Sequence, residues 1–463
     1  MQGASVPSHR GHDNPRRVLI ISYHFPPHAA SGAIRIGKFA RTWSEHGVSV
    51  AVVSGPPEAA QVEDPSLHAG LPTSLIHEVP ADPHPARWAQ RLKARLPRTP
   101  PWRPVDHALS AVQWVSEKAA PLDQRAYWVP GAIWRALRVA RRFSPHIVLV
   151  SGPPFSPFVA GAFVSAALRV PLVLDYRDPW MTSSMFRRAS GIGGRVTSWI
   201  ERRIVSSAEG VTSAHRVILG QIRDLNADAA RPPRFFWVPN GYDPQDFAAD
   251  SRVAVDRFTI NYAGAIYGAR RPTALLLSVE ELLDEGTLDV SRFTLRFVGR
   301  HTGKVEAMFS RDSLLSKVVE AGGYLPHRDS IRQLQESTVN LVLVGPRAGP
   351  TFWTPAKLYE NLFAERPLLL LSPEGVPTRL ARRSGGCWIA HPEDKGAIKH
   401  AVKTLYEAWV RGDPLPGPDR RRIAFFDRNH QARRFLRFLG TLCEEGRSPL
   451  RRAEPPTSRP ALE

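Results

Sequence analysis

The stretch VLIISYHFPPHAASGAIRIGKFARTWSEHGVSVAVV, residues 18–53, decides the fold class. Its first six residues, Val18 to Tyr23, form a continuous apolar run of the kind a buried parallel strand shows. The turn-rich HFPPHAASG follows. Ile36, Phe39, Ala40 and Trp43 then fall at i, i+3, i+4 and i+7, which is one face of a helix, and Gly47 stands where a C-terminal cap belongs. A second apolar run, Val48 to Val53, comes directly after. Strand, loop, helix and strand in this order make a βαβ unit, and that unit implies a parallel sheet with a right-handed crossover.

Working outward, further strands are expected at Ile147–Val150, Leu172–Asp175 and Phe235–Val238, so the first half reads as doubly wound α/β. The same grammar restarts after residue 250, with strands expected at Thr259–Tyr262, Leu295–Val298, Leu341–Val344, Leu368–Leu371 and Trp388–Ala390. Two sheets are expected, not one. The segment VPNGYDPQDF, residues 238–247, joins them, and its Asn240-Gly241 pair and Pro244 suit a sharp reversal. Near the end, Ala432, Phe435, Leu436, Leu439, Leu442 and Cys443 share one face of a helix that Asp427 is placed to cap. The expected organisation is a disordered arm over 1–15, a first domain over 16–240 with a basic insertion near 82–128, and a second domain over 245–425. A terminal helix over 426–445 packing back on the first domain and a Pro- and Arg-rich disordered tail over 446–463 complete it.

Composition narrows the function class. The 463 residues suffice for two to three domains, and 43% apolar with 23% charged residues is a globular balance. The most continuous apolar stretch, Val159 to Leu174, is interrupted by Arg169 and Pro171 and falls short of the roughly 20 residues of a membrane span. The opening MQGASVPSHRGHDNPRR lacks the apolar core of a secretory signal. Cys387 and Cys443 are the only cysteines, too few for a disulfide framework, which makes a reducing cytoplasm the expected location. The net charge is +19, yet nine of the 62 basic residues are Lys, an Arg bias that coding composition also produces. No zinc-ligand spacing or RNP-like aromatic motif accompanies the charge, so no nucleic-acid partner is expected. Pro85 to Pro104 (PARWAQRLKARLPRTPPWRP) carries six basic residues, no acid and two Trp. That pairing suits peripheral contact with the anionic inner face of a membrane, or equally a solvated loop whose tryptophans pack on the body.

Four clusters have chemistry to offer. The loop Ala29 to Gly32 leads into a helix whose first amides point outward, a phosphate cradle in principle, although many such loops hold a Gly for steric reasons. In TPAKLYENLFAERP, residues 354–367, Pro355 fits a first helical turn and Lys357 and Glu360 are three apart on one face. A cation there meets phosphate and an ionised carboxylate accepts charge-assisted bonds from ribose hydroxyls, while the plain alternative is a surface ion pair. DYRDPW, Asp175 to Trp180, directly follows a strand, where open parallel sheets collect ligands; a buried ion-pair network pinning the loop is its alternative. Arg270 and Arg271 follow the strand Thr259–Tyr262 and either clamp a diphosphate or lead the next helix as exposed residues.

Together the motifs resemble the retaining glycosyltransferases of family 4, whose architecture of two facing Rossmann-like domains is called GT-B. The resemblance spans roughly residues 16 to 443 and rests on ISYHFPPHAASGAIRIGKFARTWSEHG, DYRDPW, VPNGYD, NYAGAIYGARRP and GYLPHRDSIRQLQESTVNLVLV leading into TPAKLYENLFAERPLLLL. The front FPP, the later SGAIR and the D-x-R-D-x-W triplet look most like the branch acting on bacterial cell-surface polysaccharides. The resemblance implies a nucleotide-sugar donor bound by the second domain, a saccharide or lipid-linked acceptor bound by the first, and chemistry in the cleft between them. It places Glu360 on the donor ribose, Lys357 near the donor phosphates, Arg270 or Arg271 on the diphosphate, and His327 in a loop contacting the nucleobase. Gly32 is the small residue that lets the diphosphate approach the backbone, and Arg177 and Asp178 face the sugar as catalytic candidates. The family uses no divalent metal and no cofactor beyond its donor. One departure stands out: seven intervening residues before Glu360 lead to Phe352, where the E-x7-E motif has its first Glu. A non-catalytic sugar- or partner-binding protein of this fold and a sugar-nucleotide epimerase are the alternative readings.

Overall fold

The computed structural model describes residues 15–56, 62–68, 70–71, 76–79, 110, 123, 125–180, 192–247, 256–346 and 351–447. The expected arm, the segment 85–104, most of the insertion and the tail beyond residue 447 lie outside these. The chain divides into two compact units: residues up to Glu63, His68–Val238 and Ala432 onward form unit 1, and Asp64–Leu67 with Pro239–Gln431 form unit 2.

Unit 1 contains β1 (Arg17–Ser22), α1 (Ser31–Glu45), β2 (Ser49–Ser54), β3 (Ile76–Glu78), α2 (Val129–Phe143), β4 (Ile147–Gly152) and α3 (Ser156–Leu168). It continues with β5 (Leu172–Tyr176), α4 (Ile192–Ser206), β6 (Gly210–Ser213), α5 (Arg216–Leu225) and β7 (Arg234–Trp237). The seven strands are all parallel, in the order β3-β2-β1-β4-β5-β6-β7. α1 ends as its sequence requires: Gly47 takes φ +78° and donates to Ser44 O, while Val48 N–H donates back to Trp43 O at 3.0 Å, a Schellman closure that turns the chain into β2.

Right-handed crossovers fix which face each helix covers. The connections from β1 to β2 and from β2 to β3 run one way across the sheet and those from β3 onward run the other way, so α1 lies on one face and α2 to α5 on the opposite face. The face under α1 is completed by the last helix, which starts at Arg428 and runs to Arg447. There Phe435, Leu436, Leu439 and Leu442 join Phe39, Trp43, Val18 and Ile20 in one core, and Trp43 Nε1 donates to the Ala432 carbonyl at 2.9 Å. Asp427 caps that helix, accepting from Asn429 N–H at 2.7 Å.

Unit 2 contains β8 (Phe258–Ala263), α6 (Thr273–Asp284), β9 (Phe293–Val298), β10 (Val319–Gly322), α7 (His327–Glu336), β11 (Val339–Leu343) and α8 (Ala356–Phe363). β12 (Leu368–Leu371), α9 (Val376–Ser384), β13 (Cys387–Ala390) and α10 (Lys395–Arg411) complete its labelled elements, and α11 denotes the last helix, Arg428–Arg447. Its six strands are parallel in the order β10-β9-β8-β11-β12-β13. Both faces are buried, which is why its strands read as unbroken apolar runs. Leu341, Leu343, Leu369 and Leu371 face α6 and α10, while Val342, Val344, Leu368 and Leu370 face α8 and α9.

Ten strands coincide with expectation to within two residues; β3, β6 and β10 were not anticipated. β3 and β10 are short edge strands, only partly buried, and β6 reads GVTS, whose small and polar residues give no apolar signal. Pro355, expected inside the first turn of α8, is its N-cap instead, with an extended ψ of 140°.

Candidate functional site

In each sheet the strand order reverses at one place: between β1 and β4 in unit 1, and between β8 and β11 in unit 2. At such a switch point the loops leaving two neighbouring strands diverge to opposite faces and open a crevice at the carboxyl edge, where parallel sheets bind ligands. The residues singled out in the sequence gather at these two places.

In unit 2 the loop after β8 carries Arg270 and Arg271, and the connection after β11 delivers α8 with Lys357 and Glu360. The loops that leave β8 and β11 approach each other, because a Cβ added at Gly345 would meet the backbone of Ala269 and Arg270 at 3.5 Å. Glu360 is 5% exposed and its Oε2 lies 3.0 Å from Lys357 Nζ. Burial alone would raise the Glu360 carboxyl, but Lys357, then His327 and Arg428 beside it, hold it below the ordinary value, so it stays ionised. Among the described residues, no donor reaches Oε2 with good hydrogen-bond geometry. The pair is therefore no surface ion pair. It is a buried carboxylate with spare accepting capacity, held charged chiefly by Lys357.

The neighbours of Glu360 are themselves pinned. Lys357 Nζ also donates to Ser330 Oγ at 3.3 Å. His327 opens α7, its Nε2 is 3.0 Å from Asp246 Oδ2, and its backbone N–H donates to Asp64 Oδ2 at 2.7 Å. Burial works to raise Asp64, but hydrogen bonds from Ser66, the His327 N–H and the Tyr324 hydroxyl outweigh it. Arg428 donates through Nε to the Gly241 carbonyl at 2.8 Å. The structure thus brings together Lys357, Glu360 and His327. Arg270 stands at the neighbouring loop with its guanidinium 4.9 Å over the Tyr267 ring, and Arg271 is exposed. Phe352 stacks on Trp353, with ring centroids 5.3 Å apart.

Asp64, Asp246 and Arg428 were missed in the sequence. All three are more than 65 residues from Glu360 in the chain, and no spacing rule reaches that far.

In unit 1 the crevice is bridged by DYRDPW. Asp175 accepts from Arg35 Nη2 at 3.2 Å, Ser151 Oγ at 3.0 Å and Thr212 Oγ1 at 2.9 Å, and Arg35 Nη2 also donates to the Val238 carbonyl at 2.7 Å. With its oxygens so occupied, Asp175 has the ion-pair role that was its alternative reading. Arg177 reaches across from the end of β5, donating through Nε to the Gly152 carbonyl at 3.1 Å and through Nη2 to the Pro153 carbonyl. Its guanidinium lies against Gly32, where an added Cβ would nearly coincide with Nη1. Gly32 is thus in the first turn of α1, not in the preceding loop, and the space above it holds Arg177. Burial lowers Arg177, opposed by Asp178 and Asp175; burial raises Asp178, opposed by Arg177. The two therefore act as a coupled pair. Among the described residues no group of three or more His, Cys, Asp or Glu side chains gathers as a metal site, and no described helix is long and apolar enough to cross a membrane.

Comparison with known proteins bears on the fold. Residues 32–241 match the model of the glycosyl transferase 4-like domain. No curated protein matches the sequence. Among solved structures, the chain is similar to the sucrose-phosphate synthase of Thermosynechococcus elongatus, at 13% identity and TM-score 0.59, over 93% of this chain and 100% of that one. It is similar to the α,α-trehalose 6-phosphate synthase of Burkholderia multivorans at 12% identity and TM-score 0.57, over 93% and 99%. HepE of Anabaena, solved in complex with UDP and glucose, aligns at 12% identity and TM-score 0.55, over 93% and 98%. Residues 32–241 thus belong to the glycosyl transferase 4-like domain family, and the chain, with its two Rossmann-like parallel sheets, has the GT-B fold.

Proposed function

We propose that this protein is a retaining glycosyltransferase that moves a sugar from a nucleoside-diphosphate donor, held by unit 2, to a saccharide or lipid-linked acceptor, in the building of a cell-surface polysaccharide. The observation that carries this reading is Glu360: a carboxylate 5% exposed at a switch point, kept ionised by Lys357, His327 and Arg428, with an oxygen that lacks a well-directed donor. Vicinal ribose hydroxyls supply such donors. Lys357 and the Arg270–Arg271 loop then face the diphosphate. HepE, solved with UDP and with UDP-glucose, lends support to a uridine donor.

In the reaction the bond from the anomeric carbon to the diphosphate breaks, its electron pair leaves with the nucleoside diphosphate, and the acceptor oxygen bonds the same face of that carbon. The acceptor proton passes to the departing phosphate. Stabilising the leaving group is the main demand, and one well-placed donor contributes roughly 3 kcal/mol to such a step. Arg270, Arg271 and Lys357 are assigned to it, with Arg177 and Asp178 as the catalytic candidates that face the sugar. Basic side chains are given the task a divalent cation performs elsewhere, so turnover is expected to persist in EDTA; complete, reversible loss on chelation would reject that part. Phe352 in place of a carboxylate points to a donor sugar recognised without that contact.

The test is a thermal-shift panel of nucleoside diphosphates and their sugars on the wild type and Glu360→Gln. The expected result is a stabilising shift for one base, weakened at least about tenfold in affinity, or 1.4 kcal/mol, by the substitution. Equal binding by both proteins rejects the assignment of Glu360. Donor consumption without an acceptor, measured on the wild type, identifies an epimerase instead.

A further inference from the structure

On the sheet face of unit 1 that α2 to α5 cover, three large aromatic side chains stand out into solvent: Trp134 on α2, Phe163 on α3 and Trp199 on α4, exposed by 59%, 55% and 64%. Isolated exposed aromatics need no explanation. These are aligned. α2, α3 and α4 are crossover helices of one parallel sheet, so all three leave its carboxyl edge and run in the same direction, and α3 packs against both α2 and α4. Trp134 is five residues into α2, and Phe163 and Trp199 are each seven residues into their helices. At 1.5 Å per residue all three sit at a similar level, roughly 7 to 11 Å from the helix starts.

A second row runs beneath. Arg138 follows Trp134 by one turn, with its guanidinium 5.3 Å over that ring, and Arg202 and Arg203 follow Trp199 by one turn. Arg141, Arg142 and Arg169 extend the row along the ends of α2 and α3, all of them exposed. Cations at helix C-termini also suit the helix dipole, but the dipole does not explain the aromatic row. Across the three helices the one acidic residue is Glu201, which is buried, so the outward face carries no negative charge of its own.

We propose that the outer face of α2, α3 and α4 docks on an anionic lipid bilayer, with Trp134, Phe163 and Trp199 entering the headgroup–acyl boundary and the arginines pairing with lipid phosphates. Charge complementarity selects this occupant over a second copy, because a second copy of this face would bring further arginines and no exposed carboxylate to pair with them, whereas lipid phosphates supply the missing anions. The proposal is independent of whether unit 2 takes a nucleotide sugar.

The experiment is co-sedimentation of the full chain with phosphatidylcholine vesicles with and without phosphatidylglycerol, with light scattering to follow self-association. The wild type is expected to bind the anionic vesicles and to release from them as salt is raised. Trp134→Ser/Phe163→Ser/Trp199→Ser is expected to lower partitioning at least about tenfold. Arg138→Gln/Arg202→Gln/Arg203→Gln is expected to lower it on the order of 100-fold, since each arginine at the surface contributes about fivefold. Because every substituted side chain is exposed, both variants should keep the wild-type thermal transition; if one fails to fold, the other decides. Undiminished binding by a folded variant, equal binding to uncharged vesicles, no binding at all, or a dimer that the serine variant abolishes would each overturn the proposal.

Discussion

Glu201 lies 2% exposed beneath β5, where Oε1 accepts from the Tyr176 hydroxyl at 3.2 Å. Burial pushes its carboxyl from 4.5 to about 7, with the Tyr176 bond opposing, and raises the Tyr176 phenol well above its ordinary value. The native state thus holds a proton that the unfolded chain releases above 4.5. Its contribution to stability is fully present below 4.5, declines as pH rises to about 7, and is level beyond. The whole decline is at most about 3 kcal/mol. Glu201→Gln keeps an acceptor for Tyr176 and removes the titration, so its stability relative to wild type should increase between about pH 5 and about pH 8, measured by urea denaturation. A constant difference across that range rejects the assignment. Another buried acid, Asp175, has both oxygens bonded, and Asp175→Ala takes the carboxylate away from the buried Arg35 guanidinium, which should cost about 3–5 kcal/mol. The D-x-R-D-x-W spacing made Asp175 visible in the sequence, but not whether it serves a ligand or the fold. Its partners Arg35, Ser151 and Thr212 sit 140, 24 and 37 residues away and come together only when three strands and a helix assemble.

Elements were legible where burial on both faces writes itself as an apolar run, as in Leu368–Leu371, and where a cap sits at a fixed offset, as with Gly47 and Asp427. They were illegible where pairing, not side-chain burial, makes the strand. β6 is held between β5 and β7 through backbone bonds while its Gly210 admits Leu442 and Phe438 from α11; a Cβ there would meet Leu442 Cδ1 at 2.7 Å. Its glycine leaves room for those side chains, whereas a propensity reading counts it against a strand. Gly47 makes the complementary case. Nothing lies within 4 Å of a Cβ built on it, so Gly47→Ala perturbs only the left-handed backbone and should cost about 1 kcal/mol. A loss above about 3 kcal/mol in thermal or urea unfolding would show that more than the turn depends on this position.

At the scale of the molecule, each unit has its own sheet and its own core, and the two cores draw on different parts of the chain. Unit 1 takes Phe435, Leu436, Leu439 and Leu442 from the far end of the sequence, whereas unit 2 is built from Pro239–Gln431 and a four-residue loop. Separate cores need not melt together, so calorimetry should resolve two transitions, a departure from two-state behaviour expected when domains are independently packed. The assignment of each transition follows from composition. Phe435 is fully buried against Phe39 and Trp43, and Phe435→Ala should destabilise unit 1 by about 3–5 kcal/mol, lowering one transition only. A nucleotide held by Glu360 and Lys357 acts on the other: at 100 times its dissociation constant it adds about 2.7 kcal/mol to the unit that binds it. The transition raised by ligand must therefore be the one that Phe435→Ala leaves in place. If one and the same transition responds to both, either the nucleotide is bound through unit 1 or the cores unfold as a single cooperative body, and Glu360→Gln separates these cases by roughly halving the ligand shift only when unit 2 is the binding unit.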